Sequence, residues 1–502
     1  MQSEFVNIME ELNNLHNSET TDDSYNHVLK YTGIFGGVQG LKLLVSLLRN
    51  KLTTYILGSV GLGLISVYNS ISEFIVSCSN FGIPLNTTRV MGELFEDGEE
   101  SQISHMVGVI RTWVIWTAIL AVALSALLSP VLSYFFFEHD WGRVLEIFLV
   151  CPIVILLLVA EGECSILKGL RQLRKIAIIE TVVAVSTLLT TIPFYYFWGM
   201  HGIIVALIIS TAISAIVHLF FSVRLIPYRI RPFSMEVYRE GLPMIRKGIP
   251  YVLAGIGGSG VAMAIPALIM MHGTLSDVGY YRAGYALMVA YAGIVFVALE
   301  ADYFPRLSSV NHDIARMNVA INKQIDVCVL LVAPFLIALI LCMPLALQIL
   351  FQPEFLIVKD MAVCASFYMF FRAIMLPIAY TPLAKGDSMF YLLVELLYDV
   401  VFGILIWFFY NKLGLLGTGI ALSVSALADL IFVLIMYGKR YGCHLDIHTI
   451  KLCVFQLLCL SAGVVVCLQD NDYIKYGVGV IVLLLSVWRS WQLLRNTKKD
   501  LK

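Results

Sequence analysis

The pattern G-x-x-G-x-x-x-A-L-x-x-S occurs twice in this chain, and the two copies stand 215 residues apart. The first copy is Gly199, Gly202, Ala206, Leu207 and Ser210; the second is Gly414, Gly417, Ala421, Leu422 and Ser425. Upstream, Glu180 falls on Glu395 at the same offset, each near the start of a long apolar stretch. A further correspondence, at an offset of 218, lays Val60-Gly61 on Val278-Gly279, and one deletion later Arg89 falls on Arg306. A chain that repeats itself in this way folds as two related halves.

Composition says where those halves reside. Of the 502 residues, 59% are hydrophobic and 14% are charged, and the mean hydropathy is +0.84. A soluble chain of this length carries about 25% charged residues, so this is a polytopic membrane protein. Its formal charge of −1 points away from nucleic acid. The ten cysteines lie mostly inside apolar stretches with no C-x-x-C pair; there, cysteine serves as a small hydrophobe. No G-x-x-x-x-G-K-[ST] loop occurs, so no nucleotide site is expected, and neither is a cofactor or metal. The first thirty residues hold six acids and a single base, Lys30, with no basic region ahead of an apolar core; a cleavable signal peptide is not expected. Internal duplication in so apolar a chain is a mark of secondary transporters.

Apolar runs of about twenty residues read as spans. Fourteen are expected: Thr32–Thr54, Val60–Ile83, Ile103–Leu128, Val144–Leu167, Ile176–Phe197 and Gly202–Leu225, then Ile249–Met271, Val278–Ala301, Val327–Ile349, Met361–Leu383, Phe390–Tyr410 and Leu415–Tyr437, and last Ile450–Cys467 and Tyr476–Leu494. The expected fold is an all-α integral membrane protein. It has two pseudo-symmetric six-helix lobes, residues 32–225 and 249–440, plus a C-terminal helix pair in 441–502. Residues 1–31 form a cytoplasmic tail and 226–248 a cytoplasmic linker, either a helix lying on the inner membrane surface or a solvated segment. Lysine and arginine crowd alternate loops, among them Lys168, Arg171, Arg174 and Lys175, then Arg246, Lys247, Lys385, Lys439 and Arg440. By the positive-inside bias both termini are cytoplasmic.

An ionisable residue at the bilayer centre costs at least about 2.5–3.5 kcal/mol on insertion scales, so it normally faces a partner or a wet cavity. Lys42 and Arg49 are seven apart in the first span and share a helix face. Two cations so aligned can hold a phosphate or diphosphate; alternatively Arg49 snorkels to the outer headgroups. Arg111, Arg282 and Arg372 are further candidates for substrate contact, or else paired structural charges. Among the acids, Glu73, Glu180, Glu395, Asp399 and Asp429 are candidates for ion coupling. Arg372, Asp399 and Asp429 fall near mid-depth on consecutive spans, where they make either a buried ion network or a proton or cation relay. The seventh span carries Gly255, Gly257, Gly258, Gly260 and Pro266, a pattern expected of a gating bend or of close helix packing.

Several motifs resemble one family. Leu47-Leu48-Arg49 followed by Leu57-Gly58-Ser59-Val60-Gly61-Leu62-Gly63-Leu64 is similar to the "L-L-x-x-x-L-G-x-x-G-L-G" segment of the MOP superfamily, and within it of bacterial polysaccharide flippases of Wzx type. Leu167-Lys168-Gly169 before the fifth span and Ser276-Asp277-Val278-Gly279 before the eighth add to the resemblance, which covers roughly residues 30–440. It implies two six-helix lobes around a central cavity, alternating access, and movement of an undecaprenyl-diphosphate-linked oligosaccharide to the outer leaflet of the bacterial inner membrane. O-antigen and lipid III translocases are the nearest relatives it implies. Basic residues of the first lobe are the family's usual cavity ligands, which draws attention to Lys42 and Arg49. Membrane lipids, a polysaccharide polymerase and chain-length machinery are the partners so implied. A multidrug or cation antiporter of the same superfamily is the second reading. An intramembrane polymerase or glycosyltransferase is a third, opposed by the six-plus-six repeat and the absence of a long outer loop.

Overall fold

In the computed structural model, the described residues are 21–500 apart from 99, 138–140, 229, 232–233, 292, 294–295, 297–302, 305 and 470. The segment 1–20 of the expected tail lies outside them. All regular structure among the described residues is helical. In a medium without water every backbone N–H and C=O must be satisfied within the chain, and a helix does this locally.

The first group of helices is α1 (Thr21–Ser79), α2 (Ile83–Asp97), α3 (Glu100–Phe137), α4 (Trp141–Phe148), α5 (Cys151–Gly169), α6 (Leu173–Trp198) and α7 (Gly202–Leu225). Then come α8 (Met235–His272), α9 (Leu275–Tyr285), α10 (Ile314–Leu341), α11 (Met343–Leu350), α12 (Lys359–Ala379) and α13 (Thr381–Ala384). The last are α14 (Ser388–Leu413), α15 (Leu415–Tyr441), α16 (Ile447–Cys467) and α17 (Asp472–Asp500). Eleven helical stretches among the described residues are long and apolar enough to cross a membrane. Two of them, Gly37–Ser79 and Leu173–Leu225, each run through two expected spans. The eighth expected span runs into residues 297–301, outside the described residues.

The chain divides into two compact units. One is the segment up to Leu57 together with Val67–Ser259; the other is Gly58–Ser66 together with Gly260–Lys502. The repeat is visible in backbone detail. In the first unit, Leu170, Arg171 and Gln172 donate their backbone N–H groups to the carbonyls of Ile166, Lys168 and Leu167. In the second, Lys385, Gly386 and Asp387 donate to Thr381, Leu383 and Pro382. Each donor and each acceptor is displaced by the same 215 residues. Helices α6 and α14 both end on a left-handed glycine, Gly199 (φ 54°) and Gly414 (φ 58°), a conformation that costs glycine nothing. Both are followed by the second helix of a pair, so α6 packs on α7 as α14 packs on α15.

The structure adds detail to the sequence reading in three places. The ninth expected span begins at Val327, but α10 begins at Ile314, with the Asp313 carboxylate accepting from the backbone N–H groups of Ala315 and Arg316. The polar residues that had looked like loop, Asn318, Asn322 and Asp326, recur every fourth position. The first two clasp the turn before α16: Asn318 donates to the Gly442 carbonyl (2.9 Å) and Asn322 to that of His444 (3.0 Å), and the backbone N–H groups of His444 and Asp446 donate back to them.

The segment 226–248, expected as a linker, carries many exposed side chains among its described residues. It is docked on α3 within the first unit and continues as α8. Trp113 Nε1 donates to the Val237 carbonyl at 3.3 Å, and Thr112 and Arg231 exchange two hydrogen bonds. His105 joins Glu240 (2.8 Å) and Arg231 (2.6 Å). Finally, α8 keeps its helical assignment through Gly255, Gly257, Gly258, Gly260 and Pro266, and the chain passes from the first unit to the second at Ser259–Gly260.

Within the second unit, residues 58–66 of α1 lie against α9 with almost no side chain between them. A Cβ on Gly63 would stand 2.1 Å from the Leu275 carbonyl oxygen, and one on Gly279 would stand 2.0 Å from that of Ser59. Gly58 (φ 64°, ψ −163°) interrupts the helix there and leaves the Ser59 N–H without a helical acceptor; Glu354 Oε1 takes it at 3.0 Å.

Arg111 ties the first unit together. Its Nε and Nη2 donate to both oxygens of Glu163 (2.8 and 3.0 Å), Nη2 also to Ser222 Oγ (3.2 Å), and Nη1 to the carbonyls of Ile226 (3.4 Å) and Pro227 (3.0 Å). The Tyr228 ring lies under the guanidinium at 4.8 Å. Removing one member of a buried ion pair strands the other and costs about 3–5 kcal/mol. Arg111→Ala and Glu163→Ala are therefore each expected to lower the melting temperature of the purified protein sharply. Arg111→Met with Glu163→Leu is expected to recover most of the loss, because an apolar pair strands no charge.

Candidate functional site

The charged residues at membrane depth fall into two groups, one in each unit. In the first unit Lys42 of α1 forms an ion pair with Glu180 of α6, both about one-third exposed. One helical stripe further on, Arg49 is half-buried. It has no carboxylate within ion-pair distance among the described residues, and its charge reaches the Tyr195 hydroxyl of α6. Glu161 of α5 lies within electrostatic reach of Lys168 and Glu73. His218 of α7 is buried, with Nδ1 against the Ser214 carbonyl at 2.8 Å, and it senses Glu180 and Lys168. Sequence reasoning had passed over His218 as an interior group. A histidine inside the apolar run 202–225 was the available signal. Arg111 stands apart, since all five of its N–H donors are occupied and none is left for a ligand.

The second group surrounds a cavity of about 230 Å³ inside the second unit, lined by Tyr368, Arg372, Tyr380, Tyr391, Glu395, Tyr398 and Asp429 with Met375, Leu376, Ala379 and Ala426. Three helices build it from regular stripes. Residues 368, 372, 375, 376 and 379 share a face of α12; 391, 395 and 398 share a face of α14; 426 and 429 share a face of α15. Arg372 Nη1 donates to the Tyr368 hydroxyl at 2.6 Å, and no ion pair joins it to Glu395 or Asp429 among the described residues. Tyr398 stacks on Phe402 with ring centroids 5.9 Å apart, which holds its ring in place. Of the mid-depth trio expected from sequence, the structure brings Arg372 and Asp429 to one cavity together with Glu395. Asp399 points elsewhere: it is buried, does not line the cavity, and makes no hydrogen bond or ion pair among the described residues. Arg282, at the last turn of α9, is exposed. Glu73 is likewise exposed.

Many membrane-crossing helices in two units that repeat one backbone pattern, each unit with charged groups inside, define a multi-pass membrane protein with a transporter fold. Solved structures of the MOP superfamily share that fold. The lipid II flippase MurJ in an inward closed conformation superposes with a TM-score of 0.69 at 13% identity, covering 92% of this chain and 99% of that one. An inward-facing multidrug resistance MATE family transporter of the superfamily gives 0.64 at 13% identity, covering 80% and 94%. A MOP superfamily transporter from Pyrococcus furiosus, described as having a binding pocket of reverse polarity, gives 0.55 at 12%, covering 82% and 94%. The model of the family described as polysaccharide biosynthesis protein matches residues 56–359, more than half of the chain, and the chain belongs to that family. No curated protein matches it in sequence.

Proposed function

We propose that this chain is a flippase that carries an undecaprenyl-diphosphate-linked oligosaccharide from the cytoplasmic to the outer leaflet of the bacterial inner membrane by alternating access. One observation carries the reading: Arg49, half-buried inside a unit of a polysaccharide-biosynthesis family member, has no carboxylate within ion-pair distance among the described residues. A diphosphate supplies what its guanidinium fork lacks, pairs of non-bridging oxygens that accept paired charge-assisted hydrogen bonds. Lys42 on the same face adds a point charge once it leaves Glu180. The likeness of the whole chain to a lipid II flippase supports a lipid-linked cargo; both termini then lie in the cytoplasm, and polymerase and chain-length machinery receive the product.

Movement requires a hinge. The Gly255–Gly260 stretch, where the chain passes between its units, is the natural bending element, because glycine lowers the cost of departing from helical geometry. The multidrug or cation antiporter reading has the likeness to MATE transporters in its favour, and the unmatched Arg49 argues against a cationic cargo. Substitution of Arg49 discriminates the two. A hydrogen bond to a charged group contributes about 1.5–3 kcal/mol, and about 1.4 kcal/mol is tenfold in an equilibrium constant. Arg49→Ala is therefore expected to slow flipping of the lipid-linked glycan in vesicles tenfold or more at normal membrane levels, with partial recovery in Arg49→Lys. An unchanged rate in Arg49→Ala would remove the residue from the site.

Orientation is tested separately. In a background lacking the ten native cysteines, a cysteine replacing Gln172 is expected to be shielded from an impermeant thiol reagent in intact cells. One replacing Tyr473, 92% exposed, is expected to react. The reverse labelling pattern would turn the proposed topology over.

Without a nucleotide site, transport draws on gradients, and each charge crossing the membrane field is worth about 2.3 kcal/mol per 100 mV. Asp399 is the carboxyl best placed to carry a coupling proton, being buried and uncommitted; Glu73, Glu180, Glu395 and Asp429 are exposed, paired or committed to the cavity. Asp399→Asn is expected to leave lipid-linked substrate binding unchanged while making the flipping rate insensitive to an imposed pH gradient. Retained sensitivity to the gradient would move the coupling role to another acid.

A further inference from the structure

We propose that the cavity in the second unit is a binding site for one pyranose ring of the glycan, neutral or amino-substituted, with Tyr391 and Tyr398 receiving its C–H face and Arg372, Glu395 and Asp429 its hydroxyl rim. The inference rests on the flippase reading for the presence of a glycan, and it adds the place and the chemical class of the sugar.

The first ground is the internal repeat. At the 215-residue offset that relates the backbone hydrogen bonds of the two units, Tyr368 corresponds to Ile153, Arg372 to Leu157, Tyr391 to Ile176, Tyr398 to Val183 and Asp429 to Ser214. The first unit builds the same helix pairs with apolar or small residues at these five places, while Glu395 falls on Glu180 and is a carboxylate in both units. The fold does not need a guanidinium, a carboxylate and three tyrosines there. Ionisable groups at membrane depth are costly, and these make no ion pair with one another that would offset the cost. Among the described residues Arg372 has a single hydrogen bond, to Tyr368, which leaves four of its five N–H donors without a protein acceptor there.

The second ground is the chemistry of the walls. A pyranose has two apolar C–H faces and a rim of hydroxyl groups that both donate and accept. Aromatic faces bury the first; carboxylates accept from the rim, arginine donates to it, and tyrosine hydroxyls do both. The cavity, at about 230 Å³, falls below the roughly 300–1,000 Å³ of pockets that take drug-sized ligands, which suits one ring and not a chain. A bare metal cation fits poorly, because hard cations gather oxygen ligands and the guanidinium in the same wall repels them. Two carboxylates against one guanidinium likewise disfavour an acidic sugar.

The test needs no transport. The full-length protein in lipid nanodiscs is titrated with the methyl glycosides of glucose, galactose, N-acetylglucosamine, glucosamine and glucuronic acid, and saturation-transfer NMR reads which ring protons touch the protein. At least one neutral or amino glycoside is expected to receive saturation through its ring C–H protons. That signal should fall fivefold or more in Tyr398→Val and in Asp429→Ser, which install residues found in the first unit, and persist in Tyr398→Phe, which keeps the aromatic face. Melting temperatures of the three variants separate lost binding from lost folding. No transfer from any neutral or amino glycoside, the strongest transfer to the glucuronide, transfer indifferent to Tyr398→Val and Asp429→Ser, or its displacement by sodium chloride but not by choline chloride would each overturn the proposal. Flipping with no glycoside bound would sink this inference alone, whereas glycoside binding without flipping would sink the flippase reading and leave the sugar site standing.

Discussion

The bilayer core offers a charge nothing to bind, and the interior of this protein is organised by how each buried charge is answered. Arg111 is answered in full, with one carboxylate, one hydroxyl and two carbonyls occupying its five donors. Lys42 is answered by a single acid in a partly exposed pair, an interaction that water and salt weaken. Arg49 has no acid within ion-pair distance among the described residues, and Arg372 has only a tyrosine hydroxyl. This gradation orders the arginines by purpose better than their depth does. A saturated guanidinium is mortar, while an open one in a half-buried setting is held at a free-energy cost that a ligand can offset.

Much of the architecture was legible in the sequence because the bilayer restricts the choices so strongly. The repeat at 215 residues reappears as identical hydrogen bonds at 166–172 and 381–387. The fifth and eleventh spans, expected at Ile176–Phe197 and Phe390–Tyr410, correspond to helices Leu173–Trp198 and Ser388–Leu413. The ninth was misplaced because hydropathy treats Asn318, Asn322 and Asp326 as a boundary. They are instead one polar stripe turned toward the segment that leads into α16, a tertiary contact more than a hundred residues distant in sequence. The linker was legible as a helix, which begins at Met235, but its docking was not: Thr112 and His105 of α3 receive Arg231.

The cavity of the second unit was half legible. Arg372, Glu395 and Asp429 stood out as charges within apolar runs. The tyrosines did not, because a tyrosine in a span reads equally as an interface anchor or as core. What distinguishes them is register: Tyr391 and Tyr398 stand about one turn either side of Glu395 on the same helical stripe. A stripe becomes a wall only when the faces of α12 and α15 are known to meet it. Asp399 illustrates the converse, since four residues from Glu395 it shares the same nominal face by spacing and yet does not line the cavity.

The two units thus share a backbone and differ in chemistry, and that difference carries the functional reading. Helix pairing in both is fixed by features that recur, the left-handed glycines at 199 and 414 and the close turns before α6 and α14. Positions facing the interior are free to diverge, because the backbone hydrogen bonds and the small-residue contacts at the helix turns already fix the fold. In the first unit this freedom leaves a guanidinium with no acid within ion-pair distance. In the second it sets a guanidinium, a second carboxylate and four tyrosines around Glu395, the one charge of the cavity that the first unit also carries at this offset, as Glu180. A diphosphate is dianionic, compact and hydrophilic, whereas a sugar ring is neutral, flat-faced and rimmed with hydroxyls. The two ligands proposed for the two units ask for different chemistry, and the asymmetry between Leu157 and Arg372, Val183 and Tyr398, and Ser214 and Asp429 is a difference of that kind.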